Sequence, residues 1–414
     1  MKLFRRENLI YTLFFVLCQV VAWVIGYRQA IGYSNVSPDF ESYFLASKIL
    51  ANDENPYILE NLDKIQNKDG VPFPYLYTPL AAQLVTPLTF FTFQEAATIW
   101  GLILVTLYGC CIFLTGLFTA CIAKQKQGMP HINRGKWAIL LSSVLFGILF
   151  PYIINIQIGQ INILILFLLM VYLFTLRKEK PFFAGLFLGF STIIKIVPAF
   201  LLLCHLRSGK NFFVGFITGI STMLGLSILL FGPIPWDDFL HALPKFSYGT
   251  QVEGLWEIST VYNIALSGTL ARLFHDHARY IFIAGITLGI PVLFYFYRTG
   301  KYYANNSLAF FIQIGIASIL MILFSPIAYV HHIIWLYPFL FLYGLYIVTQ
   351  QTKSRYLFIG AYCILLTTIN IDFPFKYYVW PITACIPIYL PLNTIGLALL
   401  ALMMMVSLKY NRTI

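Results

Sequence analysis

Five ionisable side chains sit inside or beside strongly apolar stretches of this 414-residue chain: Asp39, Lys195, Arg272, His331 and His332. Ionisable groups at membrane depth are expensive and mark functional sites. Traced through the apolar runs, the chain returns all five to the side opposite its N-terminus. A polar site at that face then holds one carboxylate able to take a proton and several bases able to hold an anion.

Each group belongs to a patterned stretch. Ser37-Pro38-Asp39-Phe40 opens a predicted helix, with Ser37 as N-cap and Pro38 at the first position. Asp39 lies in the first turn, where the helix dipole favours a carboxylate, and Tyr43 shares its face one turn on. Glu41 points elsewhere. A carboxylate here serves equally as a helix-start residue, so spacing alone leaves both roles open. Tyr75 and Tyr77, in Phe73-Pro74-Tyr75-Leu76-Tyr77-Thr78-Pro79, stand where the chain re-enters apolar sequence, the usual place of interfacial anchors. The turn 155–162 carries Asn155, Gln157, Gln160 and Asn162, amides able to bond sugar hydroxyls or to tie helices together. Lys195 is alone in an apolar hairpin, 181–206, broken by Pro198. Anion binding suits it better than snorkelling, which needs no hairpin around it. Asn263 and Arg272 lie in a second polar loop, after the acid pair Asp237-Asp238, which reads as solvated. His331 and His332 follow Ser325-Pro326. Neighbours on a helix point about 100° apart, so at most one of the two faces the site.

The elements that must position these groups are helices. A chain 59% hydrophobic and 10% charged, with mean hydropathy +0.78, is not a soluble domain. Apolar runs at 9–27, 96–121, 137–153, 161–176, 211–231, 279–297, 308–324, 333–349, 355–370 and 388–408 read as membrane spans. With hairpin arms at 181–194 and 196–206, the expected fold is all-α: a polytopic membrane protein of about 12 transmembrane helices, in a single domain 1–414. The formal charge of +11 is scattered in short clusters, which favours the positive-inside rule over nucleic acid. The clusters at Lys124, Lys126, Arg134 and Lys136; Arg177, Lys178 and Lys180; Arg207 and Lys210; Arg298 and Lys301; Lys353 and Arg355; and Lys409 and Arg412 join Lys2, Arg5 and Arg6 on one side only if 79–93 dips into the membrane without crossing. Pro79 and Pro87 suit such a broken re-entrant segment. Of the 16 acids, all but Glu7 and Glu179 then fall on the other side. Both termini are expected in the cytoplasm. The long loops 28–78 and 232–278 are expected outside, as helices lying on the membrane surface. The seven cysteines lie in or beside apolar runs, so neither disulfides nor zinc are expected. The first run reads as an uncleaved anchor.

Seven stretches in order resemble the pattern of glycosyltransferase family 87. They are Asp39-Phe40…Tyr43; Pro56-Tyr57; Tyr75-Leu76-Tyr77-Thr78-Pro79-Leu80; Gly159-Gln160-Ile161-Asn162; Ala184-Gly185…Gly189…Lys195…Pro198; Asn263…Arg272-Leu273; and Ser325-Pro326…His331-His332. The chain departs from the pattern at Tyr329-Val330, where the family often has Trp-Asp, and at Ile264-Ala265, where Gln-Ser is usual. That family comprises polyprenol-phosphate-mannose-dependent mannosyltransferases of the C-type (GT-C) membrane superfamily. The resemblance implies a GT-C-like fold in the plasma (inner) membrane. It implies inverting transfer of a sugar, mannose in the family, from a polyprenyl-phosphate carrier to a lipid-linked or envelope glycan acceptor at the outer face. Asp39 would be the catalytic base. Lys195, Arg272, His331 and His332 would hold the donor phosphate. Tyr43, Tyr75, Tyr77, Gln157, Gln160, Asn162 and Asn263 would orient sugar and acceptor. A phosphate leaves without being protonated, so one carboxylate is enough where glycosidases use two, and no metal or other cofactor is called for. A lipid flippase or transporter would also explain the spans and buried charge, but implies pseudo-symmetric halves, and none is visible. An envelope polysaccharide polymerase is closer in chemistry.

Overall fold

The computed structural model describes residues 20–21, 23–32, 37–66, 73–125, 149–246, 248–252, 254–255, 257–260, 262–274, 277–300, 308–349, 361–362, 364 and 392–410. All regular structure among them is helical. After a helical stretch at 23–32 come α1 (Pro38–Ala51), α2 (Leu59–Gln66), α3 (Pro79–Val85), α4 (Phe93–Gln125), α5 (Leu149–Gln157), α6 (Asn162–Arg177) and α7 (Pro181–Ile194). Then follow α8 (Lys210–Phe231), α9 (Ile234–Ala242), α10 (Leu266–Phe274), α11 (Ala278–Thr299), α12 (Leu308–Leu323), α13 (Tyr337–Thr349) and α14 (Leu392–Tyr410).

Among the described residues, three helices are long and apolar enough to cross a membrane: Phe93–Phe118 within α4, α8 and α11. At 1.5 Å per residue, their 22 to 26 residues match a hydrocarbon core of about 30 Å. Ile217 and Leu229 of α8 and Ile283 and Ile290 of α11 stand exposed, an outward apolar face that suits lipid. The other described runs form shorter apolar helices, so about twelve full-length spans are not reached among the described residues. Two of the runs bend. In 181–206 the α-helix stops at Lys195, whose backbone is extended (φ −145°, ψ 117°), and a 3-10 helix, Val197–His205, follows. The run 333–349 starts inside the 3-10 turn Val330–Leu336 before α13 begins. The runs 9–27, 137–153 and 355–370 lie largely outside the described residues, as do Lys126, Arg134, Lys136, Lys301, Lys353, Arg355 and Arg412.

The segment 79–93 is two short pieces, α3 and the 3-10 helix Thr86–Phe90, together about 20 Å long and too short to cross. Its prolines do not interrupt a helix as expected. Pro79 and Pro87 each occupy a first turn, where the missing N–H costs nothing. A second correction concerns α1, expected as an outer surface helix, which is enclosed by protein instead. Phe40, Tyr43, Phe44, Ala46 and Ile49 are buried around its whole circumference, as in a helix enclosed by protein.

One core runs from Ala30 to Leu408, and α12 threads it, buried at every position from Phe310 to Leu323. The tightest helix pair is α7 with α8. Gly185 and Gly189 lie against the α8 backbone, and Gly215 and Gly219 against the α7 backbone. A Cβ at any of the four would collide with a facing backbone atom. Small residues four apart let two apolar helices touch main chain to main chain. The contact anchors α7, and with it the break that carries Lys195.

Candidate active site

Asp39, Tyr77, Gln160, Lys195, His331 and His332 line a single cavity of about 990 Å³; both histidines, carried by the 3-10 turn Val330–Leu336, reach it, where helix geometry had allowed at most one. Its polar wall is small. The rest is largely apolar, with Ile154, Phe200, Phe239, Phe246 and Phe324 among the lining side chains. Such a chamber suits a ligand with a compact polar head and a long hydrocarbon part.

The start of α1 is docked by its backbone. The amides of Asp39 and Phe40 both donate to the Ile158 carbonyl, each at 3.1 Å, and Ser37 Oγ donates to the Gln157 carbonyl at 3.1 Å. Ser37 thus marks the helix start as expected, but makes no side-chain cap. The partner turn needs Gly159. Its φ is +69°, and a Cβ there would sit 2.5 Å from that of Phe40. Trp100 Nε1 donates to the Gly159 carbonyl at 2.8 Å and fixes the turn from behind. Among the described residues, no hydrogen bond or ion pair engages the Asp39 carboxylate. Loss of hydration pushes its pKa from the usual carboxylate range up to about 7, and the Lys195 charge pulls it back in part. A base poised near neutrality is what proton abstraction at that pH needs.

A connected polar network extends from Tyr43 to Lys195. Tyr43 donates to Gln160 Oε1 at 2.7 Å, and Gln160 Nε2 donates to the Tyr77 hydroxyl at 2.9 Å. The Tyr77 ring lies 5.1 Å from Lys195 Nζ and the Trp335 ring 5.2 Å, so the ammonium stands between two aromatic faces. Lys195 Nζ donates to Asn162 Oδ1 at 2.9 Å and lies 3.2 Å from His332 Nε2. Trp335 Nε1 donates to the Asn162 carbonyl at 3.1 Å. The open end of α7 leaves carbonyls without helical partners. Thr78 Oγ1 meets two of them, Ile193 at 2.7 Å and Ile194 at 3.0 Å, and so holds the Lys195 break in place.

Six expected site residues are placed off the cavity wall: Tyr43 and Asn162, which stand behind it in the network just described, and Tyr75, Gln157, Asn263 and Arg272. Tyr75 is buried, and its hydroxyl receives the Ala82 amide at 2.9 Å, bracing α3. Gln157 donates to Gln29 Oε1 at 2.8 Å. Asn263 donates to the Ile258 carbonyl at 3.0 Å and accepts from the Ala265 and Ala328 amides at 3.2 Å each, tying its loop to the turn before the histidines. Arg272 donates to the Ser259 and Thr260 carbonyls at 3.0 and 2.7 Å, stiffening the loop that carries the cavity-lining Tyr262. Asp237 pairs with His241 at the exposed surface, 3.6 Å apart. Among the described residues, no three His, Cys, Asp or Glu side chains gather as a metal-ligand set. Thr78 and Trp335 were not singled out from sequence. Thr78 sits in a quoted motif, but its partners lie 115 and 116 residues away. Trp335 stands in an apolar run that reads only as a span.

Two comparisons bear on this arrangement. The family model described as glycosyltransferase family 87 matches residues 75–326, which leaves Asp39, Tyr43, His331 and His332 outside the matched range. A protein of Mycobacterium tuberculosis (strain ATCC 25618 / H37Rv), described as a polyprenol-phosphate-mannose-dependent alpha-(1-2)-phosphatidylinositol mannoside mannosyltransferase, is 28% identical over 282 residues. The similarity covers 67% of this chain and 63% of that protein, so the chain spans less than two thirds of the relative's length.

Proposed function

The chain belongs to glycosyltransferase family 87, and from that premise we propose that it transfers a sugar from a polyprenyl-phosphate carrier to a lipid-linked or envelope glycan acceptor at the outer face of the plasma membrane. Mannose is the sugar favoured by the name of the mycobacterial relative, which also points to a lipid-anchored acceptor. The observation that carries the proposal is that one carboxylate, Asp39, without a hydrogen-bond or ion-pair partner among the described residues, and one ammonium, Lys195, share the polar wall of a mainly apolar 990 Å³ cavity.

The reaction is a single displacement. Asp39 takes the proton of the acceptor hydroxyl as its oxygen bonds to the anomeric carbon. The bond from that carbon to the phosphate oxygen breaks on the opposite side, and its electron pair leaves with the polyprenyl phosphate. The configuration inverts. Lys195 and a histidine stabilise the charge gathering on the phosphate, which departs unprotonated. Tyr77 and Gln160 orient the sugar. The apolar wall takes the first part of the polyprenyl chain and excludes water that would compete as acceptor.

The test is reconstitution of the full chain in lipid vesicles with polyprenyl-phosphate mannose carrying a labelled sugar. The expected result is labelled glycolipid or glycan together with an equal amount of sugar-free polyprenyl phosphate. Movement of intact donor between leaflets, with no bond broken, would instead identify a flippase.

A further inference from the structure

Adjacent histidines invite one shared role, yet the structure gives these two different surroundings. His332 is occupied at both ring nitrogens. The Tyr329 amide lies 3.0 Å from Nδ1 and the Tyr329 carbonyl 3.2 Å, so the backbone can serve that nitrogen with or without a proton. Opposite a charged Lys195, the favoured form carries its proton on Nδ1 and turns the Nε2 lone pair to Nζ, 3.2 Å away. Trp335 meets the same ring edge-on at 5.0 Å. His331 is equally buried, 8% exposed against 7%, but its Nε2 has no partner among the described residues. Its backbone is fixed instead, by Asn155 Nδ2 donating to its carbonyl at 2.7 Å. A buried polar atom without a partner is costly, a cost that a ligand atom reaching it from the cavity that His331 lines would remove.

We propose that the two histidines divide the work: His332 is a positioning residue that acts only through Lys195, and His331 contacts the anionic head of the ligand through Nε2. An ammonium has three donors. Asn162 Oδ1 and His332 Nε2 take two from fixed directions, and the third is left for a phosphate oxygen. Without His332 the flexible lysine stem would sample other rotamers, and the ammonium would lose its aim. This rests on the proposed meeting of Lys195 with a phosphate.

The test is a double-mutant cycle on the full chain in nanodiscs, read as affinity for a sugar-free polyprenyl phosphate. Lys195→Ala should weaken binding about 10- to 100-fold, as expected for losing a charged hydrogen bond. His332→Leu should weaken it about 10-fold when Lys195 is present and less than about 2-fold in the Lys195→Ala background. His332→Gln, whose carbonyl oxygen can accept from the ammonium, should recover most of the affinity. Should the leucine variant fail to fold, the cycle is read on His332→Asn, which falls one methylene short of Lys195. His331→Leu should cost the same factor in both backgrounds. Equal losses from His332→Leu with and without Lys195 would overturn the division, as would a His331 effect that vanishes with Lys195. A wild-type protein that binds no polyprenyl phosphate, or a Lys195→Ala variant that binds it unchanged, would refute the proposed function itself and the division with it.

Discussion

At the scale of single residues, the central group is a carboxylate with no hydrogen-bond or ion-pair partner among the described residues, within electrostatic reach of a fixed ammonium. Burial raises the Asp39 pKa to about 7. A general base works only when deprotonated, so the sign follows directly. Below pH 7 the acid form dominates and transfer falls about tenfold per pH unit; burial also lowers the Lys195 pKa to about 7, so at higher pH the ammonium is lost and transfer falls again. A kcat/KM profile for the lipid donor between pH 5 and 9 should therefore be bell-shaped, with its maximum near 7. A profile flat down to pH 5 would mean that the base titrates as an ordinary carboxylate. The residue types of the site were legible in the sequence. Asp39, Tyr77, Gln160, Lys195 and the histidines stand out as polar groups stranded in apolar runs, and they do share one cavity. Their partners were not legible. Asn263 and Arg272 look the same on paper, yet both spend hydrogen bonds on loop carbonyls, because a buried backbone must also be satisfied.

At the scale of elements, glycines do the positioning. In the sequence Gly185 and Gly189 belong to a quoted motif, whereas Gly215 and Gly219 belong to none. In the structure they are the contact surface of α7 and α8, and they hold the Lys195 break against the rest of the core. Gly219→Leu should drive a side chain into the Leu186 carbonyl. It should destabilise the protein by at least the about 1–3 kcal/mol of ordinary overpacking. Gly225→Leu, on the same helix but with open space around it, should be nearly neutral. Thermal unfolding of both variants in detergent checks the contrast, and equal midpoints would remove the packing role. Helix positions were legible from apolar runs, because hydrophobicity marks where chain is buried in lipid or protein. Breaks within the runs were not. The break at Lys195 and the 3-10 turn Val330–Leu336 depend on partners such as Thr78 and Tyr329, far away in sequence or hidden in backbone geometry. The same blindness made α1 look like a surface helix. Its polar residues are few, but the elements that cover it come from elsewhere in the chain.

At the scale of the whole molecule, the polar pocket is expected to open at one membrane face, with the basic connectors at the other. A cysteine at position 126 should label from the cytoplasm and one at position 61 from the outside, because only then do the basic clusters share a side. Outer labelling at 126 would make 79–93 a crossing segment, against its short length, and move half of the site to the wrong face. All of this converges on Asp39 as the one group that must take a proton. Asp39→Asn keeps size and shape and leaves the backbone bonds to Ile158 untouched, while asparagine serves a helix start as well as aspartate does. In reconstituted membranes supplied with polyprenyl-phosphate sugar, the variant should transfer about 100- to 10,000-fold more slowly, with expression and donor binding preserved. An Asp39→Asn protein as active as the wild type would contradict the mechanism and turn attention to Glu41.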